Sequence, residues 1–138
     1  MAYAIVNGKN IPISRKHAIE IGDHIRGKSL VKAKEILNKV ISKKLAIPFK
    51  RFKRDIGHKR GMAAGRYPVK ASKEILKLLN SAEANALYKG LKSEDLFIEE
   101  FIANKGSTVW RYGRNLRRKA KRTHIKIKLS ERKKEGKK

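Results

Sequence analysis

An α+β fold follows from three observations on the sequence. Three stretches repeat apolar residues at helical spacing, several others alternate at strand spacing, and two more are densely basic with no clear period. These predict three helices packed on a small antiparallel sheet, bearing a long basic loop and a long protruding basic β-hairpin. A chain of 138 residues is the size of one domain with a modest core. A single domain over 1–130 with a basic tail at 131–138 is expected.

Tyr3 to Val6 is short and β-prone, and Asn7-Gly8 after it reads as a turn that ends the strand. Ser14 stands at an N-cap position, Ala18, Ile21 and Ile25 follow at helical spacing, and Gly27 reads as a stop, so the first helix is predicted over 15–26. Ser29 opens the second, whose Ala33, Ile36, Leu37, Val40 and Ile41 form an apolar stripe ending near Lys43. From Lys44 to Tyr67 periodicity fails, and two prolines and three glycines punctuate residues 44–68. A connection of that length in a compact domain is functional or disordered. Pro68 then opens the longest helix, 69–89, with Ile75, Leu78, Leu79, Ala82 and Ala86 on one face and Gly90 just beyond it.

Leu96 to Asn104 reads as a strand, and Glu99-Glu100 on opposite sides of the pleat suggest a bulge. Thr123, Ile125, Ile127 and Leu129 alternate with His124, Lys126 and Lys128, the pattern of a half-buried strand that pairs with the one before it. The intervening Lys105 to Arg122 is predicted to carry both strands outward as a hairpin. Each arm of about nine residues, at roughly 3.3 Å per residue, would reach on the order of 30 Å if fully extended. The last eight residues, 131–138, lack apolar side chains and are expected to be disordered without a partner.

Charge points to the partner. The chain has 37 Lys and Arg against 12 Asp and Glu, a net charge of +25, whereas about 2 to 8 suffices for the solubility of a small domain. Residues 43–70 carry 10 basic and 1 acidic group and residues 105–138 carry 15 and 2, while 71–104 carry 4 and 6. Body-building segments therefore alternate with segments suited to a polyanion.

In the loop, Lys50, Arg51, Lys53 and Arg54 interleave with Phe49 and Phe52. His58, Lys59 and Arg60 follow between Gly57 and Gly61, and Arg66 and Tyr67 close the segment. Glycine lets backbone approach phosphates closely, and the two phenylalanines have the alternative role of anchoring the loop to the core. In the hairpin, Arg111, Arg114, Arg117, Arg118, Lys119, Lys121 and Arg122 supply charge, while Trp110 and Tyr112 supply flat faces for bases. Arginine at this density favours bidentate phosphate contacts and stacking, the chemistry of folded RNA. A DNA-architectural protein or another RNA-binding protein is the alternative, and duplex DNA in salt-matched competition discriminates the DNA reading.

No cysteine is present, which removes disulfides and thiolate metal sites. His17, His24, His58 and His124 and the scattered carboxylates form no nucleophile, metal or acid-base motif, so neither enzyme nor cofactor is expected. No apolar run approaches the roughly 18 to 20 residues of a membrane span. The N-terminus does not read as a signal peptide, so a cytoplasmic protein without membrane insertion is expected.

A series of short motifs occurs in order: Ile13-Ser-Arg-Lys-His-Ala18, Ile25-Arg-Gly-Lys28, Pro48-Phe-Lys-Arg51, Gly57-His-Lys-Arg-Gly61, Ala64-Gly-Arg-Tyr-Pro68, Lys70-Ala-Ser-Lys73, Leu79-Asn-Ser-Ala-Glu-Ala-Asn85, Tyr88-Lys-Gly-Leu91 and Thr123-His-Ile125. Together they resemble the universal large-subunit ribosomal protein family numbered twenty-two in bacteria and archaea and seventeen in eukaryotes, over about 14 to 129. The long 44–67 segment is similar to the archaeal and eukaryotic branch. The resemblance implies a body on the outside of the large subunit beside neighbouring ribosomal proteins. It also implies a role in assembly and a hairpin running through rRNA to line the exit tunnel of the nascent polypeptide. Its tip would be Gly113, Arg114, Asn115, Leu116 and Arg117. This tip departs from the family's Arg-Pro-Arg-Ala-containing pattern and is several residues shorter.

Overall fold

A computed structural model describes residues 2–131; the basic tail expected at 131–138 lies outside them except for Glu131. A three-stranded antiparallel sheet has β8 (Thr123–Glu131) at its centre, between β1 (Tyr3–Ile11) and β5 (Leu96–Lys105). The alternation of β8 makes this arrangement. Ile125, Ile127 and Leu129 point inward and are buried, while Lys126 and Lys128 point outward and reach Glu100 at 3.6 Å and Glu99 at 3.1 Å on β5. The register of β5 slips between Ile98 and Glu100. The bulge lets both glutamates face water while Leu96, Ile98 and Phe101 all stay buried.

Helices α1 (Arg15–Ile25), α2 (Leu30–Ile41) and α3 (Val69–Tyr88) cover the apolar face, α1 against β5, α3 against β1 and β8, and α2 against α3. Ser14 and Ser29 occupy the N-cap positions in extended conformation, but their hydroxyls make no cap bond. Their carbonyls instead accept the first helical N–H, from Ala18 and Ala33, each at 3.0 Å. At the end of α3, Gly90 takes a positive φ of 76° and the Leu91 N–H returns to the Ala86 carbonyl at 3.0 Å, closing the helix. The turn after α1 joins the sheet edge, because the Gly27 N–H donates to Ile98 O at 2.8 Å and the Ile98 N–H donates to Lys28 O at 3.0 Å.

Two expectations need correction. Asn7-Gly8 does not end the first strand, which continues to Ile11, with Gly8 opposite Ile125 and an irregularity before Ile11 where Asn10 takes φ 54°. The site is crowded: a Cβ at Gly8 would lie 2.5 Å from Ile11 Cδ1 and 3.0 Å from both Leu78 methyls, so those side-chain ends would have to shift. The segment 44–67 is not an open loop. It folds into a second small sheet, β2 (Ile47–Pro48), β4 (Met62–Arg66) and β3 (His58–Lys59) in that order. Two of these strands have two residues, and the five of β4, Met62-Ala-Ala-Gly-Arg66, do not alternate, so no period is readable.

The hairpin expected over 105–122 is present with an interrupted ladder: its arms pair as strands at β6 (Val109–Trp110) and β7 (Lys119–Ala120), and the tip is a short 3-10 turn, Gly113–Asn115. Bonds from Gly106 N–H to Arg122 O and from Arg111 N–H to Arg118 O continue the pairing on either side. A two-stranded ribbon without a packed face is marginal by itself, which agrees with so short and interrupted a ladder.

Gly22 on α1 lies under the Phe101 ring, and a Cβ there would overlap Phe101 Cδ1. Gly22→Ala gains about 1 kcal/mol of helix propensity but overpacks the α1–β5 contact, which typically costs 1–3 kcal/mol or, for so close an overlap, more. The expected outcome is a lower midpoint in urea unfolding; an unchanged or higher midpoint would show that the ring moves aside freely.

Candidate nucleic-acid interface

The basic segment after α2 is organised by one buried carboxylate. Glu20 is 2 % exposed. Its Oε1 accepts the N–H groups of Arg51 at 2.9 Å and Phe52 at 2.7 Å, and its Oε2 accepts that of Lys50 at 3.1 Å. The turn that carries Lys50, Arg51, Lys53 and Arg54 is therefore fixed through its backbone, and all four side chains are left exposed. Phe49 is buried at 3 % and meets the His17 ring at 5.4 Å, so it anchors the segment. Phe52 stays half-buried with Arg51 and Lys16 over its ring at 5.2 and 5.7 Å.

His17, Glu20 and His24 share one stripe of α1, facing this segment. His17 Nε2 lies 3.4 Å from Lys53 Nζ. Burial first, then the charges of Lys53 and Lys121, hold His17 below its ordinary value. His24 is lowered in the same way by burial and then by Lys28 and Lys50. Both rings are therefore neutral near pH 7 in the free protein. Among the described residues no group of three His, Asp or Glu could hold a metal ion, and no helix is long and apolar enough to cross a membrane.

The other residues singled out from the sequence fall into two exposed regions. His58 and Arg60 are exposed on and beside β3, and Lys59 and Tyr67 are half-buried with the ammonium 5.4 Å from the ring centroid. Arg66 is turned back on its own segment, donating to the carbonyls of Gly57 at 3.3 Å and Gly65 at 3.0 Å, so part of its role is structural. On the hairpin, Trp110, Arg111, Tyr112, Arg114, Arg117, Arg118, Lys119 and Lys121 are exposed, as are Gly113, Asn115 and Leu116 at the tip; Arg122 at the root is half-buried. Lys119 Nζ lies 4.4 Å from the Trp110 ring centroid.

Charge pairing separates these regions from the body. Among the described residues, the cations in ion pairs are Arg26, Lys34, Lys77, Lys126 and Lys128, all on the helices, their flanks or the main sheet. None belongs to 43–70 or 105–122. The two basic regions are not far apart, since Lys121 of the hairpin acts on His17, which touches Lys53 of the loop. Sequence reasoning missed Glu20, whose signal was the polar i, i+3, i+7 stripe it forms with the two histidines.

Comparison with known proteins gives a consistent result. The model of the family described as ribosomal protein L22p/L17e matches residues 6–130. The chain is 50 % identical over 108 residues to the large ribosomal subunit protein uL22 of Archaeoglobus fulgidus, covering 76 % of this chain and 70 % of that one. It is 46 % identical over 132 residues to uL22 of Methanocaldococcus jannaschii, with 90 % and 85 % covered. With uL22 of Nanoarchaeum equitans the identity is 47 % over 134 residues, covering 90 % and 76 %.

Two outcomes follow from the geometry. Glu20→Ala removes the acceptor of three N–H groups, and at about 1.5–3 kcal/mol for hydrogen bonds to a charged group, a stability loss of about 2 kcal/mol is expected. Faster hydrogen exchange at the amides of 50–52 is its local readout; unchanged protection there would contradict the anchoring role. The histidines set a pH dependence. Below about 6.5 the unfolded chain takes up protons that the folded chain, with both values lowered, does not. Their stabilisation is thus full above that pH and is lost as pH falls toward the folded values. The urea midpoint should drop between pH 7.5 and 5.5, and His17→Gln with His24→Gln should flatten the drop.

Proposed function

This chain belongs to the ribosomal protein L22p/L17e family, and on that premise we propose that it binds large-subunit rRNA through the basic segment 43–70 and the hairpin. It is a structural constituent of the large ribosomal subunit and not an enzyme. The observation that carries RNA binding is the distribution of charge: among the described residues every ion pair lies in the body, and the densely spaced cations of both basic regions take part in none. Phosphates that neutralise these cations release condensed counterions, which supplies affinity and makes it salt-dependent. Arg51, Arg111 and their neighbours add bidentate contacts, and Trp110 and Tyr112 offer faces to unpaired bases.

In this reading residues 1–130 act as one domain whose helices and main sheet form a scaffold beside neighbouring large-subunit proteins. The hairpin gains its order from the RNA it threads, which ties its folding to subunit assembly. Its tip, Gly113 to Arg117, lines the tunnel and meets the nascent polypeptide. Support for that placement is the family resemblance together with a tip exposed at every residue.

A tagged chain in a cell lysate is expected to sediment with large subunits and to protect large-subunit rRNA from hydroxyl radicals; recovery only in ribosome-free fractions would sink the reading. Within the interface, Lys53→Ala should weaken binding to structured rRNA modestly and reduce the salt slope by about one unit. Trp110→Ala should cost affinity at nearly constant slope. Equal slopes for the two variants would mean that the charged and stacking roles are misassigned.

A further inference from the structure

The hairpin does not leave the body cleanly. Between its root and the starts of α1 and α3 lies a cleft of about 720 Å³, within the roughly 300–1,000 Å³ of pockets that enclose small ligands. The body contributes a low apolar wall of Pro12, Ile13 and Ala71, with Lys70 beside it on the first turn of α3. The hairpin contributes Trp110 and Tyr112 together with Arg111, Lys119, Lys121 and Arg122. Among the described residues no acidic one lines the cleft.

We propose that this cleft receives an unpaired nucleotide of an RNA strand, its base against Trp110 and the apolar wall and its phosphates between Lys70 and the cations of the hairpin. The assignment rests on the RNA-binding reading above and narrows it to a site. Flat apolar surface and several cations in one enclosure match a nucleotide, which carries a planar base and an anionic phosphate on one short frame. A duplex would not fit, because its bases are paired and stacked away from any such wall. Trp110 is 63 % exposed although large and apolar. Lys119 covers part of the indole at 4.4 Å, leaving open ring surface in the cleft. A nucleotide held there touches hairpin and body at once and so fixes the angle at which the hairpin leaves the domain. An acidic peptide could satisfy the cations but has no planar group for the indole.

Trp110 is the one tryptophan of the chain, so its fluorescence reports on this cleft alone. The full chain is titrated with single-stranded RNA, the same strand with abasic positions, a blunt RNA duplex and polyglutamate, at matched ionic strength. Occupancy is read separately by anisotropy of labelled ligand. Single-stranded RNA is expected to quench Trp110 at occupancies where abasic RNA, duplex and polyglutamate do not. Lys70→Ala, on the body wall, should weaken the quenching interaction about ten-fold, whereas Lys32→Ala, an exposed lysine of α2 outside the cleft, should leave it within about two-fold. Quenching by abasic RNA or polyglutamate as strong as by intact RNA overturns the proposal, as does equal behaviour of the two lysine variants. If large-subunit rRNA binds by anisotropy with Trp110 emission unchanged, the cleft assignment fails and rRNA binding stands. If rRNA does not bind at all, the broader reading fails with it.

Discussion

The arrangement of the basic surface depends on Glu20. A carboxylate at 2 % exposure is costly unless its lone pairs are filled, and here three consecutive backbone N–H groups fill them. The acceptor sits on a helix packed against the main sheet, and the donors belong to a turn with no core of its own. A rigid element thus fixes a basic one through backbone alone. The side chains of Lys50, Arg51, Lys53 and Arg54 are left for the partner.

The same economy runs through the charge distribution. On the main sheet, Lys126 and Lys128 meet Glu100 and Glu99, and at the α2–α3 contact Lys34 meets Glu83 at 2.6 Å. The pairs on the sheet surface contribute little stability each, the Lys34–Glu83 pair is half-buried between the helices, and together they compensate part of the body's positive charge. Among the described residues the loop and hairpin have no such partners, and their like charges repel. His17, lowered by burial and by lysines from both segments, records that repulsion where the two approach. Binding a polyanion removes it, which couples the order of the hairpin to the presence of RNA.

Much of the body was legible in the sequence because burial on one face imposes a period. The stripe Ala33, Ile36, Leu37, Val40, Ile41 located α2, and the alternation Thr123 to Leu129 located the strand that became the centre of the sheet. Even the bulge at Glu99-Glu100 was readable, since two adjacent carboxylates cannot alternate across a half-buried sheet without one entering the core. Gly8 was misread because glycine next to asparagine marks a turn by local chemistry, while here it sits where the Ile11 side chain and Leu78 of α3, a residue 70 positions away, both come close to the strand. The small sheet of β2, β3 and β4 was invisible because β2 and β3 have two residues each and the five of β4, Met62-Ala-Ala-Gly-Arg66, do not alternate apolar with polar; pairing and the Glu20 anchor hold it.

The sequence by itself determined the fold class, the two basic segments and the chemistry of their side chains, because periodicity, charge and residue type are local properties. Its ordered motifs also carried the family resemblance. Only the tertiary structure decided which cations stay unpaired, that Phe49 and Glu20 anchor rather than bind, and that the hairpin root closes a cleft against α1 and α3. Those facts depend on contacts between residues distant in the chain, such as Glu20 with Phe52 and Asn10 with His124. No local pattern encodes such pairs, since their geometry is fixed only when the helices settle on the sheet.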